Sequence, residues 1–71
     1  MIRLRVKEII QEKNINQSQL SRMADIPINT IQSMIRNAFH DPRLSTLERL
    51  SNALGVQIQD LYEIVEEKTE E

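Results

Sequence analysis

Asn16-Gln17-Ser18-Gln19-Leu20-Ser21-Arg22-Met23-Ala24-Asp25-Ile26-Pro27-Ile28-Asn29-Thr30-Ile31-Gln32-Ser33-Met34-Ile35-Arg36 is the stretch on which the fold turns. It holds two apolar stripes at helical spacing with a short break between them. Leu20, Met23 and Ala24 recur at i, i+3 and i+4, and Ile31, Met34 and Ile35 repeat that spacing. Asn16 is a favourable N-cap because its side-chain oxygen can take a free amide of the first turn. Asp25 and Ile26 make the break. Pro27 fits the start of a helix, where its missing N–H costs nothing. The reading is a helix over Gln17–Ala24, a tight turn, and a second helix from Pro27 or just after it, which together make a helix-turn-helix.

A projection of the second of these helices at about 100° per residue separates two sides. With Ile28 at zero, Ile31 falls at about 300° and Met34 at about 240°, which marks the buried side. Gln32 falls at about 40°, Arg36 at about 80°, Asn29 at about 100° and Ser33 at about 140°, all on the opposite side. Asn and Gln can pair bidentately with adenine, Arg with guanine and Ser with several partners, while Ile28 at the border can meet a thymine methyl. Any amphipathic helix has a polar outer face, so this face alone favours a DNA reader only slightly. Gln17 and the open amides at the start of the preceding helix suit a phosphate. Lys13, Arg22, Arg36 and Arg43 are further phosphate candidates, each equally well explained as a solvated charge.

Outward from that core, helical spacing continues. Val6, Ile9 and Ile10 predict a first helix over about Arg3–Lys13, ended at Asn14, which tolerates the left-handed conformation. Asn37–Leu44 reads as a loop with a turn at Asp41-Pro42. Ser45-Thr46-Leu47-Glu48 resembles a capping box opening a fourth helix to Leu54, with Leu47, Leu50, Ala53 and Leu54 inward and Gly55 ending it. A fifth helix is expected from about Ile58, burying Leu61 and Tyr62 with Val65 as a further candidate, and with Gln57 as a poor cap. No strand is expected: alternation does not extend beyond Ile2–Val6 and no Asn-Gly or Asp-Gly turn occurs. The fold class expected is all-α, with five helices. The domain takes residues 1–66, and the acidic residues 67–71 form a frayed tail.

Composition narrows the function. The chain has 71 residues, enough for one small domain with a modest core. There is no cysteine and one histidine, His40, so disulfides and thiolate metal sites are excluded and a His-based zinc site is not expected. No cofactor or metal is expected, and a small-molecule ligand is disfavoured. The opening residues lack the apolar run of a signal peptide, and no stretch approaches the ~20 apolar residues of a membrane span. These features point to a soluble, cytoplasmic protein. Net charge is −2, but it is segregated. Residues 1–59 carry eight Lys/Arg against five Asp/Glu, a net +3, and residues 60–71 one Lys against six Asp/Glu, a net −5. A mildly basic body with an acidic end differs from a uniformly acidic protein.

The string from Asn16 to Ile31 resembles the helix-turn-helix of the phage repressor/Cro family, also called XRE-like. Pro42, Ser45-Thr46-Leu47 and Ala53-Leu54-Gly55-Val56 resemble that family's fourth-helix signature, and Leu61-Tyr62 its fifth-helix anchor. The match covers roughly residues 3–65. It implies a five-helix, lambda-repressor-like domain that binds operator-like double-stranded DNA, commonly as a dimer on a two-fold site. Carried over, Ile28, Asn29 and Ser33 meet bases with Gln32 and Arg36 alongside. Gln17 meets the backbone, and the loop from Asn37 to Arg43 lies near phosphates. The chain departs from the family pattern at four places: Asp25 stands for the usual turn glycine, Ser21 for an alanine, Pro27 for a Ser/Thr cap and Ile35 for a glutamate.

Other features take blander readings. Ser45, His40 and Asp41 nominally supply a triad, but adjacent His and Asp on one loop do not orient each other as base and orienter must, so no enzymatic activity is expected. Phe39 is expected to plug the core beneath its loop, with a DNA-sugar or subunit contact as the alternative. The function expected is a sequence-specific transcriptional regulator, a repressor, reading the major groove with its third helix. The alternative is a protein-interaction module, an antitoxin or adaptor, on the same fold, since fold does not fix function. Single small modules bind weakly, which favours a homodimer, although no coiled-coil heptad run is present.

Overall fold

The computed structural model describes residues 1–66. A short strand β1 (Ile2–Leu4) leads into four helices, α1 (Val6–Glu12), α2 (Gln17–Ala24), α3 (Ile28–Arg36) and α4 (Leu44–Leu54). One 3₁₀ turn (Ile58–Leu61) follows, and then strand β2 (Tyr62–Ile64), which returns antiparallel to β1. Helix α2 packs on α3 and α4, α1 packs on α3, and the 3₁₀ turn packs on α4.

The apolar stripes meet in one core. Val6, Leu20, Ile31, Met34, Leu50 and Leu61 are completely enclosed, one or two from each major element. Fully burying side chains of this size contributes roughly 1.5–3 kcal/mol each. Ser51, the one buried polar side chain among the described residues, donates its hydroxyl to the Glu48 carbonyl at 2.8 Å. Met23, expected on the inward face of α2, is half exposed instead. Leu20 and Ala24 fill that face alone, and the stripe is narrower than the spacing suggests.

Local chemistry sets the helix ends. Asn14 (φ 59°) and Gly55 (φ 69°) take the left-handed conformation after α1 and α4, as their residue types allow. Asn16 caps α2 by accepting from the Gln19 amide at 2.8 Å. The Gln19 side chain answers by accepting the Asn16 N–H at 2.9 Å, which makes a reciprocal box.

Four expectations change. The first helix does not begin at Arg3. Residues 2–4 are a strand, because the returning chain lies beside them and Ile2, Arg3 and Leu4 pair with Ile64, Glu63 and Tyr62. The expected fifth helix shrinks to the 3₁₀ turn and gives way to that partner strand, so the described residues form four helices and a two-stranded sheet rather than five helices. Ser45 is not a cap. Helix α4 begins at Leu44 with Arg43 before it, and the Arg43 carbonyl takes the Thr46 and Leu47 amides at 3.0 and 3.1 Å. Phe39 does not plug the core and is about half exposed. The Asn37 side chain accepts the Phe39 amide at 3.1 Å in a local turn. Gln57, expected to cap poorly, receives help from the other end of its turn, where the Asp60 carboxylate accepts the Gln57 N–H at 3.0 Å. The tail expected at residues 67–71 lies outside the described residues.

The sheet is locked on one face by charge. Arg3 donates to Glu8 of α1 at 2.6 Å and to Glu63 of β2 at 2.9 Å, tying three elements together. The Arg3 guanidinium holds the Glu8 carboxyl below the usual carboxylate range, against a smaller opposing effect of burial.

Candidate nucleic-acid interface

The turn between α2 and α3 sets the angle of the two helices. Asp25 ends α2 in the left-handed conformation (φ 57°, ψ 46°) and takes the role of the glycine it replaces. The Ser21 carbonyl accepts the amides of Asp25 and Ile26, and the Ser21 hydroxyl donates to the Ile26 carbonyl at 2.5 Å. Serine at this position thus adds a bond that alanine cannot make. Arg49 of α4 donates to the Asp25 carbonyl at 2.9 Å, fixing the turn from a third element. Ile26 is buried beneath it.

Pro27 precedes α3 with φ −55° and no side-chain cap, so Ile28 is the first helical residue. The Pro27 carbonyl takes the Thr30 and Ile31 amides at 3.0 and 3.2 Å. Ile31 and Met34 anchor the helix in the core, and Ile35 packs partly against it. Ile35 therefore joins the interior side of α3, in place of the glutamate usual in the family.

The residues singled out from sequence fall where the projection puts them. Asn29, Gln32 and Arg36 are exposed, Ser33 is half-buried beside them, and Ile28 is half-buried at the border. They share one outward face of a helix about 13 Å long at 1.5 Å per residue. Gln17 sits at the first position of α2, directly after its cap. Asn37 and Arg43 are exposed at the two ends of the loop that follows α3.

Asp25 brings a negative charge to the turn, but it shares a shallow cleft with Arg22 and Arg49, which offset it locally. His40 and Asp41 make no side-chain hydrogen bond to each other among the described residues, so the nominal triad has no base–orienter pair.

Sequence reasoning missed two features. Arg49 reads as a plain helix residue, and its bond to the turn has no local signal because its partner lies 24 positions away. The second is an apolar surface on the sheet side, including Leu44 and Ile64, both more than three-quarters exposed. Its signal was available: Leu44 precedes the inward stripe of α4.

Comparison with curated protein sequences finds no match. A family model described as the Cro/C1-type HTH DNA-binding domain matches residues 5–67, which covers every helix above and the turn between α2 and α3. The chain belongs to the Cro/C1-type helix-turn-helix DNA-binding domain family.

Proposed function

We propose that the chain is a sequence-specific double-stranded DNA-binding transcriptional regulator that reads the major groove with α3 and acts as a repressor. The observation that carries this reading is the outward face of α3, where Asn29, Gln32, Ser33 and Arg36 lie together, opposite Ile31 and Met34. The major groove admits one helix and shows a distinct donor and acceptor pattern for each base pair, which side chains of these types can address. Ile28 meets a thymine methyl at the edge of that face. Gln17, Asn37 and Arg43 surround α3 and take phosphates, which sets register rather than sequence. A promoter occupied in this way is closed to polymerase, so repression is the outcome proposed. Such a role places the protein in the cytoplasm with its DNA, involves no catalytic step or cofactor, and is served best by a homodimer on a two-fold site.

Selection from a randomised duplex pool tests the reading. A defined site is expected, with affinity falling steeply as salt rises. Asn29→Ala should weaken the selected site by ~1–3 kcal/mol and relax preference at one base pair. Arg43→Ala should weaken all sequences alike and reduce the salt slope by about one. A pool that yields no sequence at low salt overturns the reading in favour of a protein-binding module on the same fold. A selected site whose preference survives Asn29→Ala removes Asn29 from the base contacts.

A further inference from the structure

The turn Asp25-Ile26-Pro27 has three backbone carbonyls, and each is taken by a different helix. The Pro27 carbonyl accepts the Thr30 and Ile31 amides of α3 at 3.0 and 3.2 Å. The Ile26 carbonyl accepts the Ser21 hydroxyl of α2 at 2.5 Å. The Asp25 carbonyl lies past the end of α2, where helix carbonyls lack a partner of their own, and it accepts Nη1 of Arg49 at 2.9 Å. The first two bonds are made within the helix-turn-helix itself. The third arrives from α4, whose residues Leu44–Leu54 include none of the DNA contacts proposed above.

We propose that Arg49 is a positioning residue for base reading: by holding the Asp25 carbonyl it sets the angle at which α3 leaves the turn and meets the major groove. This assignment rests on the DNA-reading role proposed above and adds a residue that serves it without touching DNA. The helix that carries Arg49 is a fixed reference, because Leu47, Leu50 and Leu54 seat α4 in the core and α4 packs on α2. Arg49 lines one shallow cleft with Ser21, Ile26 and Pro27, so it borders the whole turn. Ile31 and Met34 hold α3 in its seat, but the reading face runs from Ile28 to Arg36, about 13 Å at 1.5 Å per residue. A tilt of ~10° about the turn moves the far end of such a helix by about 2 Å, several times the ~0.5 Å within which a binding constellation must be held. The grip is on the backbone and not on the Asp25 carboxylate. Among the described residues, every ion pair within 4.0 Å belongs to Arg3, so Arg49 and the Asp25 side chain do not form one.

Three plainer roles for an arginine here leave different signatures. A phosphate contact weakens all duplexes alike and lowers the salt slope when it is removed. Neutralisation of Asp25 matters only while the carboxylate is present. A purely structural bond changes stability but not the base preference of the folded protein. A positioning bond instead weakens the selected site and leaves binding to unrelated duplex, which depends on phosphates, nearly as it was.

Gel shifts over a salt series, on the duplex the parent selects and on an unrelated one, test the assignment with the full chain. Arg49→Met keeps the apolar stem and removes the donor. It should weaken the selected duplex at least ~10-fold and the unrelated one no more than about threefold, with the salt slope unchanged. Arg49→Lys should recover most of the loss, because a single N–H donor is used and an ammonium can supply it. In an Asp25→Gly background Arg49→Met should act to the same extent, since glycine keeps the carbonyl. Hydrogen exchange of the DNA-free protein gives a second readout: the Ile26, Thr30 and Ile31 amides around the turn should exchange at least ~3-fold faster in Arg49→Met, and those inside α4 should change less. Arg49 is exposed, so the fold should tolerate the change, and circular dichroism verifies it. Should Arg49→Met fail to fold, Arg49→Gln, with a shorter side chain, takes its place. The proposal is overturned by a folded Arg49→Met that binds the selected duplex like the parent, or by both duplexes weakening alike with a salt slope lower by about one. It is equally overturned if Asp25→Gly abolishes the effect, if Arg49→Lys does not rescue, or if exchange at the turn is unchanged. The two readings fail separately. A parent that selects no site removes the DNA-reading role, and exchange in the free protein then decides whether Arg49 holds the turn. A parent that selects a site which Arg49→Met binds equally well removes only the role of Arg49.

Discussion

Removing the cap of α2 by Asn16→Ala should cost about 1 kcal/mol of stability. The bond lost is the acceptance of the Gln19 amide at 2.8 Å, and that amide has no other partner in the first turn. The Asn16 N–H still donates to the Gln19 side chain at 2.9 Å, but a helix of eight residues has little else to hold its first turn. Both residues are exposed, so water replaces part of each bond, and the loss stays well below the strength of a buried one. Gln19→Ala should cost less, about 0.5 kcal/mol, since it removes only the returning bond. The double variant should lose less than the two together, because one box closes one turn. In a domain of this size 1 kcal/mol lowers the melting temperature by ~4–8 °C. Urea unfolding followed by circular dichroism gives all three values. Asn16→Ser is the control and should stay within a few tenths of a kcal/mol of the parent, because a serine oxygen can also take the Gln19 amide. The reasoning fails if Asn16→Ala unfolds at the parent's midpoint. It also fails if Asn16→Ser is as unstable as Asn16→Ala, since the loss would then not come from the missing acceptor.

Other expectations follow from single positions. Asp25→Gly should leave stability within ~0.5 kcal/mol, since relief of the left-handed backbone is offset by a freer unfolded chain, while Asp25→Ala should lose about 1 kcal/mol. On the proposed reading Asp25→Gly also tightens DNA binding, by a factor that a gel-shift salt series should show shrinking as salt rises. Gly55→Ala should cost about 1 kcal/mol from backbone conformation alone, because the space around it is open; a thermal melt a few degrees below the parent would show it. Stability should fall as pH drops below about 4.5, where the unfolded chain takes up protons that Glu8 resists while paired with Arg3. Its contribution is present above the unfolded carboxylate pKa and lost as pH falls through the folded one. Urea midpoints against pH should show Glu8→Gln with a shallower acid slope, modest in size because the pair is partly exposed.

The middle of this fold was legible because its signals are local. Asn16, Asp25-Ile26-Pro27 and Gly55 each act within a few residues, and the stripes Leu20/Ala24 and Ile31/Met34 repeat within one helix. The ends were not legible for the opposite reason. Ile2 is a strand residue because Ile64 lies beside it, 62 positions along the chain. A three-residue strand carries too little alternation to announce itself, and apolar residues around Leu61 suit a helix as well as a turn and strand. Phe39 misled because burial is the usual fate of an aromatic side chain, whereas this one sits about half exposed on its loop. The outward set on α3 came from periodicity. Its role as a DNA reader came from resemblance, since an exposed polar face has the same appearance whether or not DNA meets it.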